Sequence, residues 1–287
     1  MDLTNYREIT ELLARHGFRF SKSMGQNFLT EAWVPQRIAE ESLVTEDEGV
    51  LEVGPGIGCL TERLSERAGK VVALELDESL RSILAETLAE RDNVTVLFRD
   101  ALKTDLKALC TEQFPGKRVR VCANLPYNVT TPLLTAFLEA GCFETITVMI
   151  QKEVAERICA RPGTGEYGAF TVLCDWYAER EKLFDVPNTC FVPRPKVTSS
   201  VIRLTRRETP RCIVRDEKLF FRVVRAAFNQ RRKTLPNALS AGLSELTREE
   251  AEECIVSAGL APQIRGEALS TADFATVTET IFCKMHK

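Results

Sequence analysis

No stretch of this 287-residue chain approaches the roughly 18 consecutive apolar residues that a membrane-spanning helix needs. The N-terminal segment, with Asp2, Arg7, Glu8 and Glu11, holds no apolar signal core, so a cytoplasmic protein with no membrane partner is expected. Histidine is nearly missing: His16 and His286 stand near opposite ends with no ligand-spaced neighbour, and no metal site is expected. The ten cysteines form no Cys-x-x-Cys pair, and their scatter from Cys59 to Cys283 reads as reduced, mostly buried thiols. A surplus of positive charge is absent too, the net charge being −3, so bulk charge alone gives no sign of a nucleic-acid partner. What is present is a globular composition, 44% hydrophobic and 28% charged, which excludes disordered and fibrous classes.

The pattern alternates short β-rich runs with amphipathic helical stretches. Strands are expected at 50–53, 70–74, 94–98, 118–123 and 145–150, and helices at 60–67, 78–90 and 132–140. Repeated βαβ units imply an α/β fold, a mainly parallel sheet with helices on both faces. Beyond Gln151 the rhythm changes to a helical 152–159, a turn at Pro162-Gly163-Thr164-Gly165, a proline-rich stretch near Phe191 and a last clear strand at 200–204. From Lys218 the chain is helical in character, with turn signals at Leu235-Pro236-Asn237 and Gly259-Leu260-Ala261-Pro262. The expected division is a domain of 1–208, whose 1–48 segment contributes to its ligand site, and a small all-helical domain of 209–287 that binds the macromolecular partner.

Glu52-Val53-Gly54-Pro55-Gly56-Ile57-Gly58 follows the first expected strand and precedes a helix, where open α/β sheets bind nucleotides. Its glycines permit positive φ and close approach of a ligand to the main chain. The G-x-G-x-G spacing departs from the dinucleotide fingerprint, and an ordinary tight turn explains such a stretch equally well. Two strand-end acids add weight. Glu75 lies where a carboxylate accepts ribose hydroxyls, and Asp100, followed by Ala101, is placed to accept from an adenine amino group. A solvated acid is the alternative for each alone; together with Glu52 beside the turn they point to an adenosine-containing cofactor.

At the fourth strand end stands Asn124-Leu125-Pro126-Tyr127. The amino nitrogen of adenine is a poor nucleophile because its lone pair is delocalised into the ring. The Asn124 side-chain oxygen and the Pro126 carbonyl are suited to accept its two N–H groups and favour a tetrahedral nitrogen, while Tyr127 stacks on the extruded base. With an activated methyl donor no nucleophile, metal or strong base is needed, and catalysis is mainly orientation. A turn beside a core tyrosine is the competing reading.

These residues resemble the ribosomal RNA adenine dimethyltransferases, along nearly the whole chain. The resemblance extends to Gly25-Gln26-Asn27-Phe28-Leu29, Gln151-Lys152-Glu153-Val154-Ala155-Glu156-Arg157, Phe191-Val192-Pro193-Arg194-Pro195-Lys196-Val197 and Phe228-Asn229-Gln230-Arg231-Arg232-Lys233-Thr234. It implies a Rossmann-like class I methyltransferase domain with a helical RNA-binding domain, and S-adenosylmethionine as cofactor. Gln26, Asn27, Leu29, Glu52, Gly54, Gly56, Gly58, Glu75, Asp100, Ala101 and Asn124 would hold that cofactor. Phe191 would face the target base opposite Tyr127, unless it is a hydrophobic plug before the proline-rich turn. Within the family the motifs imply dimethylation of two adjacent adenosines near the 3′ end of 16S ribosomal RNA in small-subunit (30S) particles, by a monomer. A 23S-type adenine methyltransferase and a non-catalytic assembly factor are the alternatives.

Charge distribution supplies what net charge does not. Residues 194–233 hold thirteen basic residues against three acidic ones. Arg194, Lys196, Arg222, Arg225, Arg231, Arg232 and Lys233 are the expected RNA contacts, against the alternative of a solvated helical face.

Overall fold

The structure is a computed structural model describing every residue except 22–24, 210 and 287. Helix α1 (Tyr6–Arg15) starts at Asn5, whose side-chain oxygen accepts from the Arg7 and Glu8 N–H groups, and it buries Ile9, Leu12 and Leu13. A two-residue strand β1 (Phe28–Leu29) and helix α2 (Trp33–Glu41) follow.

Next comes the expected alternation, with one helix, α5, that the sequence pattern does not indicate: β2 (Gly49–Val53), α3 (Cys59–Ser65), β3 (Lys70–Glu75), α4 (Arg81–Thr87), β4 (Val94–Phe98), α5 (Leu106–Gln113), β5 (Val119–Asn124), α6 (Thr130–Ala140) and β6 (Phe143–Gln151). After α7 (Lys152–Ile158) and α8 (Ala169–Tyr177) the chain forms β7 (Ala178–Val186), β8 (Phe191–Val192) and β9 (Ser199–Arg206). The sheet has seven strands in the order β4-β3-β2-β5-β6-β9-β7. Strands β4, β3, β2, β5 and β6 run parallel, and β9 is antiparallel to β6. Because β3 and β4 lie on one side of β2 and β5 and β6 on the other, the order reverses between β2 and β5. That reversal opens a crevice at the strand C-termini.

The chain divides into two compact units. One joins Met1–Ala155 with Glu181–Arg206; the other joins Glu156–Arg180 with Arg207–Lys287. The expected single cut after residue 208 therefore differs from the units observed, since Glu156–Arg180 joins the C-terminal helices. Asp175 shows why: only 5% exposed, it accepts from Arg180 at 2.9 Å, Arg211 at 3.0 Å and the Thr271 hydroxyl at 2.5 Å.

The second unit continues with α9 (Glu217–Asn229), α10 (Leu235–Gly242), α11 (Arg248–Ser257) and α12 (Thr271–Met285). Helix α9 buries Leu219, Phe220, Val223, Val224, Ala226 and Ala227, the spacing of one helical face. Thr247 with Glu250, and Ser270 with Asp273, form capping boxes that start α11 and α12. The turn expected at Leu235-Pro236-Asn237 is instead the first turn of α10. Proline there sacrifices an N–H that has no intrahelical partner anyway, so it opens the helix rather than breaking it.

Candidate active site

The crevice beside the switch point is an open cleft of about 1210 Å³, a volume that includes solvent at its mouth. Its floor is the turn after β2. Gly54 and Gly56 have φ of 74° and 59°, and a methyl group at Gly56 would come within 3.1 Å of the Phe28 ring. Gly58, with φ of 90°, is the N-cap of α3 and does not line the cavity; a side chain there would meet Leu88 and Thr87.

Glu52 lines the cavity yet is only 1% exposed, and its Oε2 has no hydrogen-bond partner among the described residues. Burial, with the nearby Glu75 adding to it, pushes its carboxyl up to about 8, so it is largely protonated at neutral pH. Glu75, at the end of β3, is held by its backbone. Oε1 accepts from Leu76 N at 2.7 Å and Asp77 N at 2.8 Å, while Oε2 has only a long contact to Gly56 N at 3.4 Å. Burial raises the Glu75 carboxyl and these N–H groups oppose it. Asp100 lies two residues beyond β4, where Oδ1 caps the Ala101–Lys103 turn through Leu102 N at 3.0 Å, and Ala101 follows it into the cavity wall.

A further part of the lining comes from the N-terminal segment. Leu29 pairs with Phe191 and Phe28 with Val192 in the β1–β8 ladder, which fixes Gln26, Asn27 and Leu29 against the cavity. Gln26 accepts from Ser21 N at 3.0 Å and donates to Asp77 Oδ2 at 2.6 Å. Asn27 donates to the Gly25 carbonyl at 2.9 Å. Asn124, the last residue of β5, donates through Nδ2 to the Asn27 carbonyl at 3.5 Å. No protein donor among the described residues reaches its Oδ1.

Pro126 and Tyr127 also line the cavity. The Pro126 carbonyl, however, already accepts from Val129 N at 3.2 Å and from the Thr130 hydroxyl at 3.1 Å. Both its lone pairs are engaged in starting α6, which leaves the Asn124 oxygen as the open acceptor of the tetrapeptide. Tyr127 is half-buried, and its hydroxyl shares a 2.6 Å hydrogen bond with Ser199 Oγ at the start of β9. Phe191 does not line this cavity; at 4% exposure its ring belongs to the core behind Leu29. The plug alternative describes its position better than base stacking does.

The basic stretch is less available than its count implies. Among the described residues, seven of its thirteen cations are ion-paired: Arg203, Arg206, Arg207, Arg211, Arg215, Arg222 and Arg231. Arg222 pairs with Glu245, and Arg231 joins Glu267 at 3.0 Å while donating to the Gly165 carbonyl at 2.6 Å. Arg225 donates to the Phe221 carbonyl at 3.2 Å and remains exposed. Exposed Arg194 and Lys196 in the first unit, and Lys218, Arg232 and Lys233 in the second, have no acidic partner among the described residues.

Two contributors escaped sequence reasoning. Asp77 had a local signal, an acid two residues before Ser79 whose N–H it caps, but nothing tied it to Gln26. Ser199 had none, lying far along the chain from Tyr127. Among the described residues no His, Cys, Asp and Glu cluster is arranged to hold a metal, and no helix is long and apolar enough to cross a membrane.

Comparison with known proteins places the chain in a family. Residues 17–282 match the family model for ribosomal RNA adenine dimethylase. The chain is 45% identical over 98% of its length to ribosomal RNA small subunit methyltransferase A of Geobacillus thermodenitrificans, covering 97% of that protein. It is 46% identical over 97% of its length to the protein of the same name from Clostridium acetobutylicum, covering 98% of it. Among solved structures, the 23S rRNA methyltransferase ErmE superposes with a TM-score of 0.68 at 28% identity, over 89% of this chain and 99% of that one. A dimethyladenosine transferase from Plasmodium falciparum, 24% identical, shares the fold with a TM-score of 0.72 over 90% of this chain and 98% of that one. The chain belongs to the ribosomal RNA adenine dimethylase family, as an enzyme that methylates adenine in ribosomal RNA.

Proposed function

We propose that this chain transfers methyl groups from S-adenosylmethionine to the 6-amino groups of two adjacent adenosines near the 3′ end of 16S ribosomal RNA. It acts as a cytoplasmic monomer on small-subunit (30S) particles during their maturation. The observation that carries the reading is the Oδ1 of Asn124, which has no protein donor among the described residues, in a cavity that the glycine turn and the strand-end acids also line. The small-subunit address is supported by the relatives' names at 45% and 46% identity, against 28% for the 23S enzyme.

The cavity fits that cofactor. Glu52 presents a buried oxygen without a protein partner among the described residues, Glu75 keeps Oε2 nearly free for a ribose hydroxyl, and Gly54 and Gly56 leave room for close approach. Gln26, Asn27, Leu29, Asp100 and Ala101 complete the walls, while Gly58 acts from behind by starting α3. The cofactor, when bound, supplies a methyl group activated on a sulfonium. Asn124 Oδ1 accepts one amino N–H and turns the nitrogen lone pair out of the ring plane. Tyr127, tethered to Ser199, presents its ring to the extruded base. Pro126 shapes the turn that aims both. Phe191 serves through the ladder by fixing Leu29. The amino proton leaves to water after transfer. Arg194, Lys196, Arg225, Arg232 and Lys233 engage phosphates, with Arg222 and Arg231 contributing mainly through their ion pairs.

Unmodified 30S particles incubated with the protein and methyl-labelled S-adenosylmethionine test the reading, with modified adenines mapped by primer extension and mass spectrometry. Two adjacent dimethyladenosines near the 16S 3′ end are expected. Methylation confined to 23S RNA overturns the small-subunit address, and absence of adenine methylation favours the assembly-factor alternative.

A further inference from the structure

Asp77 stands at a junction of three hydrogen-bonding relations. Its backbone N–H donates to Glu75 Oε1 at 2.8 Å, its Oδ1 accepts from Ser79 N at 2.9 Å and Ser79 Oγ at 2.7 Å, and its Oδ2 accepts from Gln26 Nε2 at 2.6 Å. Glu75 and Gln26 both line the cavity, and Asp77 bridges them. Gln26 in turn accepts from Ser21 N at 3.0 Å, so its amide orientation is fixed from both ends. Burial alone would raise the Asp77 carboxyl, but the Ser79 and Gln26 hydrogen bonds outweigh it, so the group is an anion at neutral pH.

Resting on the reading of the cavity as a cofactor site, we propose that Asp77 is a positioning residue, a latch that locks the 25–29 wall to the turn orienting Glu75. The physical case lies in how weak the neighbouring attachments of that wall are. The next link, from Asn124 to the Asn27 carbonyl, is long at 3.5 Å, and β1 is only two residues long. Among the described residues, the charge-assisted hydrogen bond at 2.6 Å is the strongest polar tie between segment 25–29 and the strand-end acids. Closing the wall and aiming the ribose-side carboxylate thereby become one event, because the residue that grips Gln26 also donates to Glu75.

The chemistry of the pair permits a test by reversed polarity. Asp77→Asn keeps an oxygen to cap Ser79 but sets an amide donor against the Gln26 donor. Gln26→Glu sets two carboxylates together while still accepting from Ser21. The double variant Q26E/D77N restores one donor and one acceptor. Affinity for S-adenosylhomocysteine, measured by calorimetry on the full chain without RNA, is expected to fall about 10-fold in D77N and at least that far in Q26E. It should return to within about 3-fold of the parent in the double variant. Amide exchange of residues 25–29, followed by mass spectrometry in ligand-free protein, should quicken in each single variant and slow again in the double. A double variant as weak and as fast-exchanging as the worse single variant, or a D77N variant unchanged in both readouts, overturns the latch. Failure of the parent protein to bind S-adenosylhomocysteine defeats the cofactor reading instead, and the exchange measurements then decide the latch alone.

Discussion

Replacing Glu52 with glutamine should flatten the loss of stability that the protein suffers as pH rises from acid to alkaline. The reasoning starts from burial: the carboxyl is 1% exposed, and its affinity for a proton rises from the usual 4.5 to about 8 in the folded chain. Between those values the native state holds a proton that the unfolded chain has released. Stability therefore falls as pH rises through that window, is complete below the unfolded value and is lost above the folded one. A window of about 3.5 pH units corresponds to about 5 kcal/mol at most. Relaxation and water entry around an ionised carboxylate reduce this, giving about 2 to 5 kcal/mol for the pH-dependent part. The glutamine side chain has nearly the same shape and never ionises, so any fixed cost of its amide shifts the whole curve without changing its slope. Glu75, also raised by burial, remains in both proteins and drops out of the comparison to first order.

Urea unfolding at about pH 5 and about pH 9 measures the difference. Trp33 belongs to the first unit and Trp176 to the second, so a Trp176→Phe background leaves fluorescence reporting the unit that contains Glu52. The Glu52→Gln variant should gain on the parent by about 2 kcal/mol or more between the two pH values. Parallel pH profiles for the parent and the variant would refute the argument, because they would mean that the carboxyl titrates alike folded and unfolded.

Two further outcomes separate chemistry from scaffolding. Asn124→Ala should lower methyl transfer by about 100-fold or more, well beyond any loss of S-adenosylhomocysteine affinity, while folding changes little, since the side chain is tied to the fold by no more than the 3.5 Å bond to Asn27 among the described residues; single-turnover rates and calorimetry check this, and normal turnover would remove Asn124 from the mechanism. Arg232→Ala/Lys233→Ala should weaken RNA binding and reduce the slope of log affinity against log salt by about 2 without loss of stability. Arg231→Ala, by contrast, should destabilise the second unit by about 0.5 to 1 kcal/mol, because part-exposed Glu267 and the exposed Gly165 carbonyl lose their donor to water; salt titrations and thermal unfolding distinguish the two cases, and identical behaviour of all three positions would undo the distinction.

What could be read before the fold was known follows from the range over which each feature acts. Strand-end positions are local: Glu52, Glu75, Asp100 and Asn124 each follow an apolar run, and in the structure the sheet brings all four to one cavity. Strand β7 was invisible because Glu179, Arg180, Glu181, Lys182 and Asp185 interrupt its apolar positions, the composition of an edge strand that must avoid further pairing. The basic stretch misled in the opposite direction. Its charges are adjacent in sequence, but their partners Glu41, Glu144, Asp175, Glu245, Glu267 and Glu279 are remote, so the local count overstates the charge left for phosphates. Pro126 carries the same lesson to the chemistry itself. Its residue type suggested an acceptor for the amino group, yet the hydrogen bonds that begin α6 occupy that carbonyl. The tetrapeptide thus divides its labour with its neighbours: Pro126 and Thr130 build the turn, Ser199 steadies the aromatic ring, and Asn124 keeps a side-chain acceptor that no donor among the described residues reaches.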